Sequence, residues 1–322
     1  MIIVRIETIY WSKPDATGWQ PHWCWVRLHT DSGHVGLDET YPERFGRMGE
    51  IIRPLSGRIG LTGSAMGTTI VGMDSANMKI AIISDIHGNV EALEAVLQDI
   101  AAKGCAKTYC LGDVVGYGPA PNEACARLRE LGIETIQGNH DQAAASDLPL
   151  SEILLSPLAY KSLLWTRKAL SASHRQWLKQ LPHEIQLQGF NACLYHASPN
   201  QPQTWEYILS RYQAWEILTR QKQTLCFIGH THQPLVCVLQ AGSVVEEKPE
   251  VVAINAAFRY LINVGSVGQP RNRDPRGSYV VVDPGSQTVT FRKIDYPVSI
   301  TQRRIREQNL PERLAERLAV GA

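Results

Sequence analysis

The sequence predicts an α/β fold with a mostly parallel sheet over most of its length, and three observations predict it. KIAIIS at 79–84 is an apolar strand of the kind that is buried on both faces of a parallel sheet. Apolar residues then repeat at helical spacing over 90–103. A strand at 107–111, a helix at 121–131 and a strand at 133–137 follow, and this βαβαβ order implies a sheet covered by helices.

The remaining residues of this part predict further elements of both kinds. One or two helices are predicted at 156–181, a helix at 210–222, and a helical tail at 301–319 that Pro311 interrupts. Strands are predicted at 184–196, 224–229, 234–239, 259–264 and 278–293.

The chain divides into three parts by composition. Residues 1–54 predict strands at 3–11 and 22–30, rich in β-branched and aromatic residues, and form a β-rich appendage. Residues 55–77 contain five glycines and several Ser and Thr without a clear period, which is typical of a flexible linker. Residues 78–322 form the third part and contain the α/β pattern.

Composition excludes several classes of protein. Lys and Arg total 32 and Asp and Glu 31, so the net charge of +1 does not favour binding to long nucleic acids. No apolar run has the length of a membrane helix, and the first residues show no signal peptide. The seven cysteines are an odd number and form no Cys-x-x-Cys pair, which predicts buried thiols and a cytoplasmic protein.

Five short clusters of polar residues follow predicted strands, where open α/β sheets place their ligands. They are SDIHGN at 84–89, LGDVVGYG at 111–118, QGNHD at 137–141, LYHASP at 194–199 and GHTH at 229–232. Each cluster alone is as readily a polar turn, but five in this order favour a site. Their candidate metal donors are Asp85, His87, Asp113, Asn139, His140, His196, His230 and His232. Carboxylate and imidazole donors suit Mn, Fe, Zn, Ni or Co ions.

In these motifs the chain resembles the calcineurin-like metallophosphoesterases, most closely their small bacterial phosphodiesterase branch. The family pattern D-x-H, G-D, G-N-H-D/E, H and G-H-x-H is present in order. The runs GDVVGYGPAPNE at 112–123 and NVGSVGQPR at 263–271 add to the likeness, which covers 78–320. The resemblance implies a four-layer α/β/β/α sandwich and hydrolysis of a phosphodiester or small phosphomonoester by a hydroxide that bridges two metal ions.

The resemblance also implies a role for each donor. One divalent ion is expected on Asp85, His87 and His232, the other on Asn139, His196 and His230, with Asp113 between them. Mn²⁺ is the first choice, with Fe, Zn, Ni and Co as alternatives. His140 is the expected catalytic residue: it stabilises the phosphorus centre or protonates the leaving oxygen. Asn139, His140 and Arg271 are the expected substrate-binding residues.

Some residues depart from the family pattern. Val114 follows the G-D motif where protein Ser/Thr phosphatases carry an arginine soon afterwards, so that branch is disfavoured. Ala197 and Val264 replace the usual Gly and Pro without removing a donor.

The expected partner is a small phosphorylated substrate, with nucleotides among the candidates, and the oligomeric state is left open. The alternative function is a catalytically silent scaffold, as in the retromer subunit of this fold, but scaffolds typically lose metal histidines and this chain keeps all of its donors.

The first residues carry a second, shorter resemblance. VRIETIYW at 4–11 and WVRLHTDSGHVGLDETYP at 25–42 resemble the start of the capping domain of the enolase superfamily, of the mandelate racemase type. No barrel of that family follows, so its chemistry is not implied here. Residues 1–77 are interpreted as a fusion remnant or a mis-assigned start, and a regulatory or dimerising module is the other interpretation.

Overall fold

The computed structural model describes residues 78–153 and 155–322 in full and the backbone of five strands before them. The chain forms two compact units, Met1–Ser75 and Ala76–Ala322. Among the described residues, no helix is long and apolar enough to cross a membrane.

The first unit contains one antiparallel sheet in the strand order β3-β2-β1-β5-β4. Its strands are β1 (Ile3–Ser12), β2 (His22–Thr30), β3 (Val35–Thr40), β4 (Gly60–Thr62) and β5 (Thr69–Val71). The predicted strands at 3–11 and 22–30 are therefore present. Two short strands lie within the segment 55–77, and its other residues before Met78 lie outside the described residues. The linker, the domain boundaries and the enolase-like resemblance stay predictions.

The second unit contains twelve strands and eight α-helices among its described residues. The strands are β6 (Ile80–Ile83), β7 (Lys107–Cys110), β8 (Glu134–Thr135), β9 (Glu184–Leu187), β10 (Ala192–Tyr195), β11 (Leu225–Ile228), β12 (Leu235–Gln240), β13 (Ser243–Glu247), β14 (Val251–Ala253), β15 (Arg259–Asn263), β16 (Gly277–Asp283) and β17 (Thr288–Ile294). The helices are α1 (Val90–Ala102), α2 (Pro121–Glu130), α3 (Asn139–Ala145), α4 (Pro157–Ala169), α5 (Ala172–Lys179), α6 (Arg211–Arg220), α7 (Val298–Glu307) and α8 (Glu312–Leu318).

The strands form two six-stranded sheets. One has the order β14-β17-β16-β6-β7-β8 and the other β13-β12-β15-β11-β10-β9. The predicted parallel pairing is confirmed for β6, β7 and β8 in the first sheet and for β10, β11 and β15 in the second. The other strands add antiparallel pairs at both ends of this parallel centre.

The two sheets pack face to face with helices outside them, which confirms the four-layer α/β/β/α sandwich. Strand β6 shows why: Ile80 and Ile82 face the core between the sheets, whereas Ala81 and Ile83 face the helices. Alternate residues of a strand point to opposite faces, so a strand buried on both sides is apolar throughout. The second sheet packs its outer face on α6, where Ile217 belongs to that core.

Several predicted elements differ in extent from those in the structure. The strand predicted at 278–293 is a hairpin of β16 and β17, turned where Asp283 Oδ1 accepts the Gly285 N–H at 3.0 Å. The strand predicted at 184–196 is interrupted by a 3₁₀ turn at Gln188–Phe190. The predicted helix at 156–181 is two helices. Strands β13 and β14 are absent from the sequence prediction, since β13 is mostly exposed and ends in two glutamates and β14 is only three residues long.

The loop after β6 is fixed by Asn89, which caps α1 by accepting the Ala92 N–H at 3.1 Å. Its amide also donates to the Gly268 carbonyl at 2.8 Å, so one side chain joins the helix start to a distant loop. The carboxyl ends of β6, β7, β8, β10 and β11 carry the polar clusters found in the sequence. The fold therefore brings the loops of both sheets to one edge of the sandwich.

Candidate metal centre

The seven predicted metal donors and His140 lie at this edge, in the loops that follow the strands or, for Asn139 and His140, at the start of α3. Seven of them are nearly inaccessible to solvent. These seven residues are each at most 4% exposed: Asp85, His87, Asp113, His140, His196, His230 and His232. Asn139, the first residue of α3, is half-buried. Because charged and imidazole groups are buried only with partners, this cluster indicates a built site.

Two groups of donor atoms occur in the cluster, and both contain Asp113. The first group consists of Asp85, His87, Asp113 and His232, and the second of Asp113, His196 and His230. Within each group the donor atoms lie within 4.8 Å of one another. Asn139 joins the second group, because its Oδ1 lies 3.2 Å from His196 Nε2.

Each of the four histidines in these groups is held by a backbone carbonyl. His87 Nδ1 donates to the Val115 carbonyl at 3.1 Å. His232 Nδ1 donates to the Gln269 carbonyl at 2.6 Å, and His196 Nδ1 donates to the Leu111 carbonyl at 2.8 Å. In His230 it is Nε2 that donates, to the Trp205 carbonyl at 3.0 Å. A carbonyl only accepts, so in a neutral ring the other nitrogen carries a lone pair. Metal-binding histidines are typically oriented in this way.

The free nitrogens and carboxylate oxygens converge at short distances. His87 Nε2 and His232 Nε2 lie 3.0 Å apart, and His232 Nε2 lies 3.2 Å from Asp85 Oδ1. Asp85 Oδ1 is buried and accepts no hydrogen bond. Two acceptor nitrogens and an unpartnered carboxylate oxygen at these distances favour a cation between them. The residues therefore fit a divalent metal ion.

The two buried carboxylates set the charge of the cluster. Burial by itself raises the pKa of Asp113, but neighbouring histidines, His196 first, outweigh it and hold the pKa well below its usual value. The pKa of Asp85 is lowered in the same way, with His232 opposing burial. Burial lowers the pKa of His87, whereas the charge of Asp113 overcomes burial and raises the pKa of His196 to about 9. The ionised carboxylates thus attract positive charge into the cluster.

The backbone at five of the donors lies in the left-handed region. These residues are Asp85 (φ 54°), His87 (φ 51°), Asp113 (φ 50°), His230 (φ 67°) and His232 (φ 61°). Non-glycine residues rarely adopt this conformation, which costs on the order of 1 kcal/mol each and clusters at functional sites. This strain is not predictable from the sequence, because glycines lie next to the donors and no pattern marks the donors themselves.

Close contact of neighbouring loops leaves no space for side chains at two glycines. A Cβ atom on Gly138 would collide with the Asp113 carboxylate. A Cβ on Gly229 would collide with Ser84 Oγ and lie 2.5 Å from Asp85 Oδ2. The glycines of the G-N-H and G-H-x-H motifs are therefore required for the carboxylates to occupy their positions.

His140 lies beside the donors and outside both groups. Its backbone N–H donates to Asp113 Oδ1 at 2.8 Å, and its ring lies 4.4 Å from the Tyr117 ring. Burial lowers its pKa to about 4, although Asp113 opposes this.

Arg271 is also at the cluster: its guanidinium lies 5.8 Å from the Tyr117 ring, and its Nε is buried without a hydrogen-bond partner.

The structure adds residues that the sequence analysis missed. Asp141 is fully buried and accepts the N–H groups of Val115 and Gly138, each at 3.1 Å. Burial, together with the charge of Asp113, raises its pKa to about 8. The aromatic rings of Tyr117, Trp205 and Tyr207 surround the histidines. Asp141 and Tyr117 lie within the motifs and were available as candidates, whereas no motif marks residues 205–207.

Comparison with known proteins identifies the family of this chain. The model of the calcineurin-like phosphoesterase superfamily domain matches residues 78–287. The chain belongs to the calcineurin-like phosphoesterase superfamily. Membership in this superfamily implies hydrolysis of phosphoester bonds, and the resemblance found in the motifs is confirmed.

Individual proteins are similar to parts of this chain. A metallophosphoesterase from Sphaerobacter thermophilus is 40% identical, with a TM-score of 0.67 over 76% of this chain and 100% of that chain. An uncharacterized protein of Methanocaldococcus jannaschii is 35% identical over 75% of this chain and 98% of its own length. The phosphodiesterase YfcE of Escherichia coli is 36% identical over 20% of this chain and 40% of its own length.

Substitution of Gly229 tests whether the cluster binds metal as its geometry indicates. Gly229→Ala pushes the Asp85 carboxylate away from its position, so we expect at least tenfold weaker binding of Mn²⁺. Binding is measured by equilibrium dialysis and elemental analysis of the folded protein, with folding checked by circular dichroism. Gly189→Ala is the matched control, since a Cβ there meets no atom within 4 Å. Equal Mn²⁺ binding by a folded Gly229→Ala protein contradicts the interpretation.

Proposed function

We propose that this protein is a metal-dependent phosphoesterase that hydrolyses a phosphodiester or a small phosphomonoester at a site for two divalent ions. The observation that carries the proposal is the orientation of the histidines. Four imidazoles are each fixed by a backbone carbonyl, and three of them, those of His87, His196 and His232, present Nε2 to two buried carboxylates. Family membership supplies the reaction class for such a donor set.

The division of the donors into two groups supports the ligand assignment made from the motifs. Asp85, His87 and His232 hold one ion in this proposal, and Asn139, His196 and His230 hold the second. Asp113 is shared, because its carboxylate belongs to both groups. Its Oδ2 lies 3.6 Å from His87 Nε2 and 3.5 Å from His196 Nε2, between one histidine of each group.

The donor atoms are imidazole nitrogens, carboxylate oxygens and one amide oxygen, without a thiolate. This set suits Mn²⁺, our first choice, and also Fe, Zn, Ni and Co ions. Two bound ions supply Lewis acidity toward the phosphoryl oxygens and an activated water as nucleophile.

Two side chains next to the donors act on the substrate in this proposal. Arg271 donates from its guanidinium to phosphoryl oxygens, since its buried Nε has no other hydrogen-bond partner. His140 contacts the phosphoryl group, where it stabilises the developing charge or gives a proton to the leaving oxygen. Because its pKa in the free site is about 4, the second role requires the bound phosphate to raise that pKa. Its position is fixed through the bond from its backbone N–H to Asp113, so the imidazole stays beside the donors without being one. Asn139 lies at the same face and completes the substrate contacts.

The net charge of the chain and the name of one of its relatives favour some substrate classes over others. A relative of this chain is named a phosphodiesterase, which favours a diester, and nucleotides are among the candidates. The net charge of +1 does not favour long nucleic acids. The six cysteines of the second unit are free thiols, which supports a location in the reducing cytoplasm.

Residues 78–322 form the phosphoesterase domain in this proposal. Support comes from the family match, which begins at residue 78, and from the relatives, whose full length is covered by about three quarters of this chain. The alternative, a scaffold on the same fold, requires no complete donor set, whereas every predicted donor is present at this site.

Hydrolysis of model esters tests the proposed activity. We expect the protein loaded with Mn²⁺ to hydrolyse bis-p-nitrophenyl phosphate faster than p-nitrophenyl phosphate, and EDTA to abolish both reactions. The measurement is release of nitrophenolate under initial-rate conditions. A preference for the monoester indicates that the substrate is a small phosphomonoester. Absence of turnover with every divalent ion contradicts the proposed enzymatic function and favours the scaffold function.

The role of His140 is tested by substitution. His140→Ala removes a substrate contact but no metal donor, so we expect kcat to fall by about 10²–10⁴-fold while the metal content is unchanged. Rates and elemental analysis of the same preparations separate the two effects. His174→Ala is the matched control, because His174 bonds Asn122 outside the cluster. Full kcat in His140→Ala excludes the proposed role, and loss of metal shows that the ring has a different one.

A further inference from the structure

An exposed aromatic ring lies on one of the site histidines. The rings of Tyr207 and His230 are stacked, with centroids 3.9 Å apart and an angle of 27° between their planes. Tyr207 is nevertheless 43% exposed. One face of its ring is therefore covered by a residue of the site, while a large part of the side chain remains open to solvent.

The backbone around Tyr207 is anchored on both sides. Before it, the Trp205 carbonyl accepts a hydrogen bond from His230, and the Trp205 indole donates to Gln142 Oε1 at 3.0 Å. After it, Ile208 is 5% exposed and belongs to the core beneath α6. Since Trp205 and Ile208 are both fixed, the fold holds Tyr207 in its position beside His230.

Another exposed tyrosine of this region has a different environment. Tyr212, 67% exposed, stacks on Trp215 of the same helix with centroids 6.3 Å apart. Tyr207 instead stacks on His230, which belongs to the second donor group. Tyr207 therefore lies directly beside the metal centre.

We propose that the face of the Tyr207 ring turned away from His230 is a platform on which the planar base of a nucleoside phosphoester stacks while its phosphate occupies the site. The inference rests on the proposed function and names the substrate class within it. Aromatic rings stack on bases through their faces, which favours any base over a saturated group at this position. Arg271 lies over Tyr117 in the same cluster, where it is available to the phosphate.

Competition between two phosphate esters tests the platform. AMP and ribose 5-phosphate share the sugar phosphate and differ in the base, and each is used to inhibit hydrolysis of bis-p-nitrophenyl phosphate by the Mn²⁺-loaded protein. We expect AMP to have an inhibition constant about tenfold lower than that of ribose 5-phosphate. Tyr207→Ala removes this difference and Tyr207→Phe keeps it, because stacking needs the ring and not the hydroxyl. Tyr212→Ala is the matched control and leaves the difference intact.

The outcomes separate this inference from the proposed function. If AMP and ribose 5-phosphate inhibit the wild-type protein equally while the ester is hydrolysed, the platform is excluded and the phosphoesterase stands. If Tyr207→Ala weakens both inhibitors by the same factor, Tyr207 only supports His230 and the platform is likewise excluded. If the wild-type protein does not hydrolyse the ester with any divalent ion, the proposed function itself fails.

Discussion

Two buried carboxylates, Asp85 and Asp113, are the constraint on which the rest of the site depends. Each uses one oxygen to bind a backbone N–H of another loop: Asp85 Oδ2 accepts from His230 at 3.0 Å, and Asp113 Oδ1 accepts from His140 at 2.8 Å. The other oxygen of each faces the histidine nitrogens. The same side chains therefore join the loops of the two sheets and supply the negative charge that a cation neutralises. Without a cation the burial of this charge is costly.

The geometry of the loops follows from this arrangement. Side chains are directed inward from the ends of strands by left-handed backbone at the donors, and adjacent glycines let the loops come into contact. Hydrogen bonds between loops offset the strain; for example, the His87 N–H donates to the Asp113 carbonyl at 2.9 Å. Because the second sheet contributes His196 and His230, the site forms only when both sheets are packed together. Assembly of the site thus requires the folded sandwich.

The set of donor side chains that meet at the site was predictable from the sequence, for a physical reason. Donors such as Asp85 and Asp113 follow apolar strands directly, and the ends of parallel strands meet at one edge, so sequence order determined which side chains meet. The structure brings all the predicted donors together, together with His140 and Arg271. Tyr207 was not predictable, because its stacking depends on how a long loop folds back onto His230. Strand β13 was missed because its residues are mostly exposed and carry no buried pattern.

The central claim is that two divalent ions bind side by side and share Asp113. Anomalous X-ray diffraction from crystals of the full chain soaked in Mn²⁺ tests it most directly. We expect two manganese peaks about 3.5–4 Å apart, both in contact with the Asp113 carboxylate. A single peak, or two peaks of which only one contacts Asp113, would contradict it.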